Sequence, residues 1–164
     1  HVSSQSDSSR QHAEASSDVS SIDAVITALY DVISGPAGDR NWDRLKALFL
    51  PDGRLIPSGD RPNGESGLRV HTVEEFIADA RKFMAANGFY EREIARRVDR
   101  FGSIAQAFST YESRWSATDP EPFIRGINSI QLVHKDGRWW VVNIFWDNEG
   151  PENPIPAEYL PAAN

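Results

Sequence analysis

Apolar residues along this chain change their spacing once, and the change divides it into a helical part and a sheet part. Ile22, Val25, Ile26, Leu29, Tyr30 and Ile33 recur at steps of three and four, one face of a helix over 21–34. Ser20 or Ser21 suits its N-cap, Asp23 suits its first turn, and Gly35-Pro36 stops it. Trp42, Leu45, Leu48 and Phe49 predict a second helix over 42–49, ended by Leu50-Pro51-Asp52-Gly53. Leu55-Ile56-Pro57 reads as a short strand, held to an edge or an end by its proline. Residues 58–70 read as a long loop. Thr72 and Glu75 then form a capping-box pattern that opens a third helix over 73–87. That helix buries Val73, Phe76, Ile77, Ala80, Phe83 and Met84, and Gly88 closes it.

From Phe89 the period is two. Strands are predicted at 89–100, 103–115, 123–134 and 139–147, with a tight link at Phe101-Gly102. Asp136-Gly137 supplies the two positive-φ residues of a type I′ hairpin turn. Helices first and an antiparallel meander last is an α+β order. If Arg100 faces Ser103, Lys135 faces Arg138, and the middle loop centres near Asp119, then Phe108 lies opposite Ile130. One face then holds Ala95, Phe108, Ile130, Leu132, Val141 and Phe145, with Glu93, Thr110, Glu112, Asn128, Asn143 and Asp147 among them. The other holds Ile94, Val98, Ala105, Ala107, Ile144 and Trp146, with Arg96, Ser109, Tyr111, Ser129 and Gln131. Both faces are half apolar, whereas a sheet wetted on one side alternates cleanly. Helices can cover one face, and a second subunit is the economical cover for the other. A single bulge or slip would exchange residues between them.

Composition adds exclusions. The chain has 164 residues, 40% of them hydrophobic, enough for one domain with a polar tail. A net charge of −7 and a pI near 5.0 offer no basic excess to bind nucleic acid or an anionic membrane. No apolar run approaches the ~18 residues of a spanning helix. Cysteine is absent, which removes disulfides, thiolates and the usual structural zinc sites. Residues 1–20 are serine-rich and nearly devoid of apolar side chains, so they are expected to be disordered. The start at His1 and this polar spacer fit export after removal of a signal peptide, with a cytoplasmic protein as the alternative. The tail 150–164 is proline-rich and expected to be irregular, which leaves 21–149 as the folded domain.

The run FYEREIARRVDRFGSIAQAFSTYESRW (89–115) followed by FIRGINSIQLVHKDGRWWVVNIFWDNE (123–149) resembles the nuclear transport factor 2-like superfamily, in particular its bacterial SnoaL-like members. Arg100-Phe101-Gly102, Tyr111-Glu112-Ser113-Arg114, Arg125-Gly126-Ile127-Asn128-Ser129 and Trp139-Trp140 carry the resemblance, and 28–57 matches that superfamily's first helices. The resemblance implies a cone of the cystatin-like kind, three N-terminal helices closing a curved antiparallel sheet, often dimeric through the sheet's outer surface. It implies no one chemistry, because the superfamily holds isomerases, cyclases, dehydratases and pocket proteins without a known reaction. The aspartate base of the steroid isomerases has no counterpart, since the matching stretch reads Arg54-Leu55-Ile56-Pro57. Tyr30 lies in the region of that branch's tyrosine.

Candidate chemistry is therefore sparse, and no catalytic residue is assigned. Glu93, Glu112 and Asp147 could converge as pocket carboxylates, or be paired off by arginines such as Arg97 and Arg114. His1, His12, His71 and His134 form no HxH or HxxxH pair, so no metal site is expected, nor any cofactor. Trp139, Trp140, Trp146 and Phe145 read more readily as core or interface than as ligand platforms. The functional expectation is a small apolar or amphipathic molecule held inside the cone, with a small isomerase, cyclase or dehydratase as the alternative. The lining is expected from Tyr30, Phe83, Phe108, Thr110, Glu112, Asn128, Asn143 and Phe145.

Overall fold

A computed structural model describes residues 3–163 of the chain; His1, Val2 and Asn164, which belong to the expected disordered start and irregular tail, lie outside the described residues. Helices α1 (Ser3–Asp18), α2 (Ile22–Ile33) and α3 (Trp42–Leu48) come first, then β1 (Phe49–Pro57), β2 (His71–Thr72) and α4 (Val73–Ala86). The meander follows as β3 (Tyr90–Phe101), β4 (Ile104–Arg114), β5 (Ile124–Lys135) and β6 (Arg138–Asn148), and a 3-10 turn (Ala157–Tyr159) sits in the tail. The strands form one sheet in the order β2-β1-β6-β5-β4-β3. The meander is antiparallel throughout, and β1 joins it by a parallel ladder to β6.

Local chemistry accounts for the element ends. The Ser21 hydroxyl accepts from the Ala24 amide at 3.0 Å, and Thr72 and Glu75 complete a reciprocal capping box. Asp136 and Gly137 take φ 53° and 74°, the left-handed pair that a type I′ turn needs. Two stretches differ from expectation. Residues 50–53 lie inside β1, not in a turn, and the register against β6 shifts between Phe49 and Arg54. Residues 3–18, expected to be disordered, are helical, because the anchor is at one end and not along a face. Arg44 of α3 clamps Asp18 at 2.8 Å and Asp31 at 2.5 Å, Val19 is buried, and the Trp139 amide donates to the Val19 carbonyl.

The registers decide what faces inward. Arg100 pairs with Ala105 and not with Ser103, which preserves the facing. A bulge between Glu93 and Ala95 then turns the first half of β3 over. Phe108 lies opposite Ser129 and not Ile130, a slip of one that separates the even residues of β4 from those of β5. The last hairpin pairs Lys135 with Arg138 as expected, but a bulge beyond Leu132 puts Asn128 opposite Trp146 and Gln131 opposite Asn143. The concave face consequently carries Ser109, Tyr111, Asn128, Ile130, Leu132, Val141, Ile144 and Trp146, and α2, α3 and α4 pack against it. Ile26, Leu45, Leu48, Ile130, Leu132 and Val141 are at most 2% exposed.

On the convex face lies the tail. Thr110 donates to the Tyr159 carbonyl at 2.6 Å, Phe108 packs on the Tyr159 ring at 5.4 Å, and Arg97 pairs with Glu158 at 3.1 Å. Ile130→Ala is expected to lower the unfolding free energy by about 2–5 kcal/mol, because it leaves a void in close-packed surroundings. Val70→Ala, at a side chain 59% exposed, should change it by less than about 0.5 kcal/mol. Urea denaturation of the two variants checks both.

Candidate functional site

Between the concave face and helices α2 and α4 lies a cavity of about 400 Å3. Its walls are apolar: Leu29 and Ile33 from α2, Phe76, Ala80, Phe83 and Met84 from α4, and Ile130, Ile144 and Trp146 from the sheet. Polar groups enter at few points, from Tyr30, Asp79, Glu91, Tyr111, Ser113, Asn128 and Asn148. Of the lining rings, Phe83 meets Phe89 and also Trp115 outside the cavity, and Trp115 stacks on Phe123 with ring centroids 3.9 Å apart.

Of the lining expected from sequence, the structure places Tyr30, Phe83 and Asn128 in this cavity. The other five stand on the convex face. Phe108 and Phe145 border a smaller cleft of about 240 Å3 beneath the tail, and Thr110 is covered by Tyr159. Asn143 donates to Gln131. Glu112 is held by Arg92 and Arg114, the latter at 2.7 Å. Burial works against the Glu112 charge, but bonds from Arg114 and Arg92 outweigh it and hold its carboxyl below the ordinary value. Glu93 turns inward at the bulge and pairs with Arg96 at 2.8 Å, while Asp147 stays exposed. The suggested cluster of Glu93, Glu112 and Asp147 does not form. Among the described residues, no group of three or more His, Asp or Glu could hold a metal ion.

A hydrogen-bonded chain runs across the cavity floor. The Asn128 Nδ2 donates to the Tyr30 hydroxyl at 3.0 Å, Tyr30 meets the Ser109 hydroxyl at 2.6 Å, and Ser109 donates to Glu93. A buried amide left unpaired costs about 1–3 kcal/mol, and Asn128 avoids that through its bond to Tyr30. Ser113 donates to the Glu91 carboxylate at 3.0 Å, and the Ser34 hydroxyl receives the Glu91 amide at 3.0 Å. Tyr111 donates to the Asn148 side chain at 2.5 Å, its ring lying over Gly126. A Cβ at Gly126 would stand 2.3 Å from the Tyr111 hydroxyl, so glycine in mid-strand is what admits that ring.

No protein-family model matches the sequence, and no curated protein matches it. Solved structures do. A nuclear transport factor 2-like protein of unknown function from Silicibacter pomeroyi DSS-3 aligns over 86% of this chain and 98% of its own, at 15% identity and a TM-score of 0.54. A protein of unknown function with a cystatin-like fold from Nostoc punctiforme PCC 73102 aligns over 79% and 90%, at 12% identity and a TM-score of 0.61. A nuclear transport factor 2-like protein of unknown function from Pseudomonas putida KT2440 aligns over 77% and 82%, at 13% identity and 0.57. This chain has the nuclear transport factor 2-like fold. Such distant likeness fixes the cone and leaves its chemistry to the residues.

Within this nuclear transport factor 2-like cone, Glu91 is the group that sequence reasoning passed over. Its position beside Arg92, Arg96 and Arg97 suggests one member of a mixed-charge strip, and only the bulge two residues on turns it inward. Tyr111 and Trp146 belong to the opposite face in the sequence reading, the alternative lining with Ser129 and Gln131, and the β4–β5 slip and the β6 bulge bring them in with Ser113 and Asn148. Gly126 in mid-strand is a legible sign of that close approach. Burial raises the Glu91 carboxyl to about 7, against weaker lowering by Ser113 and Asn128. Burial likewise pushes the phenols of Tyr30 and Tyr111 well above their ordinary value, and the Glu91 charge adds to it.

The sign of the pH dependence follows. The folded state holds the Glu91 proton more tightly than the unfolded chain, so stability falls as pH rises from about 4.5 to about 7. In Glu91→Gln that fall is expected to shrink by about 2–3 kcal/mol, read as the difference in urea unfolding free energy between pH 4 and pH 8 in variant and wild type.

Proposed function

We propose that residues 21–149 form a small-molecule-binding domain whose ligand occupies the cone. The observation that carries this reading is the cavity itself, about 400 Å3 with apolar walls and a few converging polar groups. Ligand sites are built that way, and their volumes begin near ~300 Å3. The uncharged naphthalene dye prodan should bind one site per chain with a blue-shifted emission. Ala80→Phe, which fills the cavity from α4, should abolish the shift while far-UV circular dichroism stays unchanged. Equal binding by the variant would overturn the reading.

A second reading, a small isomerase, cyclase or dehydratase, is favoured by one observation, the Glu91 carboxyl poised near neutrality inside an apolar cavity. Turnover separates it from the first: a bound probe would come back chemically changed.

We also propose a homodimer joined through the convex face. Phe101, Ile104, Phe108 and Phe145 remain exposed there beside the tail, and apolar patches of that kind are uncommon on monomers. Light scattering should give about twice the chain mass of 18.3 kDa, and a value near 18.3 kDa would exclude the dimer.

A further inference from the structure

The direction of the hydrogen bonds on the cavity floor says what kind of ligand fits it. Glu93, paired to Arg96 at 2.8 Å, can only accept, so Ser109 spends its single hydroxyl proton on Glu93. Tyr30 must then donate to Ser109 at 2.6 Å, and Asn128 must present N–H to Tyr30 at 3.0 Å. Ser113 donates to Glu91, and the Tyr111 hydroxyl is spent on Asn148. Every hydroxyl proton on the floor is committed to the protein. A carboxylate accepts about four hydrogen bonds and Glu91 receives one from Ser113, so acceptor capacity is left where it borders the cavity. The donors left in the lining, the second Asn128 amide proton, the Trp146 indole and the Asn148 amide, are all neutral.

Charge points the same way. Glu91 and Asp79 line the cavity, and the lining holds no Lys, Arg or His. Two rings of the lining, Phe83 and Phe89, stand beside these groups, and aromatic faces attract cations. An anionic ligand would meet a buried carboxylate with no cation to offset it, and a hydrocarbon would leave the Glu91 acceptors unfilled.

Resting on the binding reading above, we infer that the ligand is an amphipathic amine, an apolar skeleton whose ammonium group hydrogen-bonds the Glu91 carboxylate. The titratable side chains that line the cavity with Glu91 are Tyr30 from α2, Tyr111 from β4 and Asp79 from α4, the last largely exposed and 4.0 Å from His71; none of the three brings positive charge. With the Glu91 carboxyl raised to about 7, the site should prefer the amine above that pH and lose the preference below it.

The test uses three probes of one shape, 1-naphthylmethylamine, 1-methylnaphthalene and 1-naphthoic acid, titrated calorimetrically into the full chain at pH 8.5 and pH 5.5. The expected result at pH 8.5 is amine affinity above that of the hydrocarbon by about tenfold or more, with the acid weakest, since a charged hydrogen bond is worth about that factor. At pH 5.5 the amine advantage should shrink several-fold. Glu91→Gln, which keeps the side-chain shape, should erase it at both pH values. Hydrocarbon binding with no amine advantage, or an advantage unmoved by both pH and Glu91→Gln, overturns the amine assignment and leaves the binding reading standing. Failure of all three probes to bind overturns both. If Glu91→Gln does not fold, the wild-type pH comparison decides alone.

Discussion

Two extra residues in the sheet set the shape of everything else. The bulges in β3 near Glu93 and in β6 beyond Leu132 each oppose two residues to one, which bends the strand and strengthens its twist. The long meander thereby curls into a concave surface that α2, α3 and α4 can close. The same bulges reassign side chains. They bring Glu91 and Glu93 inward on β3 and Ile144, Trp146 and Asn148 inward on β6. Without them the expected alternation would put different residues into the cone.

The site inherits its chemistry from that bend. The polar chain from Glu93 through Ser109 and Tyr30 to Asn128 ties β3, β4, α2 and β5 together across the floor. Low local dielectric makes such a chain costly to leave half-satisfied, and the described residues leave no buried side-chain polar atom without a partner. Glu91 differs in that its bond from Ser113 leaves acceptor capacity, and the surrounding Leu, Ile, Phe and Met side chains raise its proton affinity. A carboxyl on the edge between charged and neutral at physiological pH is a property of this burial and not of the residue.

The convex face shows how a chain covers its own sheet. Its apolar residues, taken by sequence alone, call for a second subunit as cover. The tail supplies part of that cover through Tyr159, Glu158 and the segment around Ile155, whose amide binds Glu149 at 3.2 Å. Phe101 and Ile104 stay beyond the tail's reach, 83% and 58% exposed. The proline-rich composition that marks the tail as irregular is compatible with its lying flat, because an extended segment can pack side chains without forming a ladder.

Elements that rest on neighbours in sequence were legible. The period of Ile22 to Ile33, the Thr72–Glu75 box and the Asp136-Gly137 turn each depend on contacts within a few residues, and the α+β order follows from them. Tyr30 and Phe83 could be placed in the pocket because a helix face is defined by its own spacing. Asn128 lines the cavity while Asn143 does not, and the difference is parity. A strand's two faces are interchangeable until pairing is known, and one slipped loop or one bulge exchanges them. The docked helix α1 escaped for a related reason, since its anchor is the Asp18–Arg44 pair, 26 residues apart in sequence. Which side chains point into the cone was left to tertiary packing, because only a closed core gives the two sides of a strand different energies.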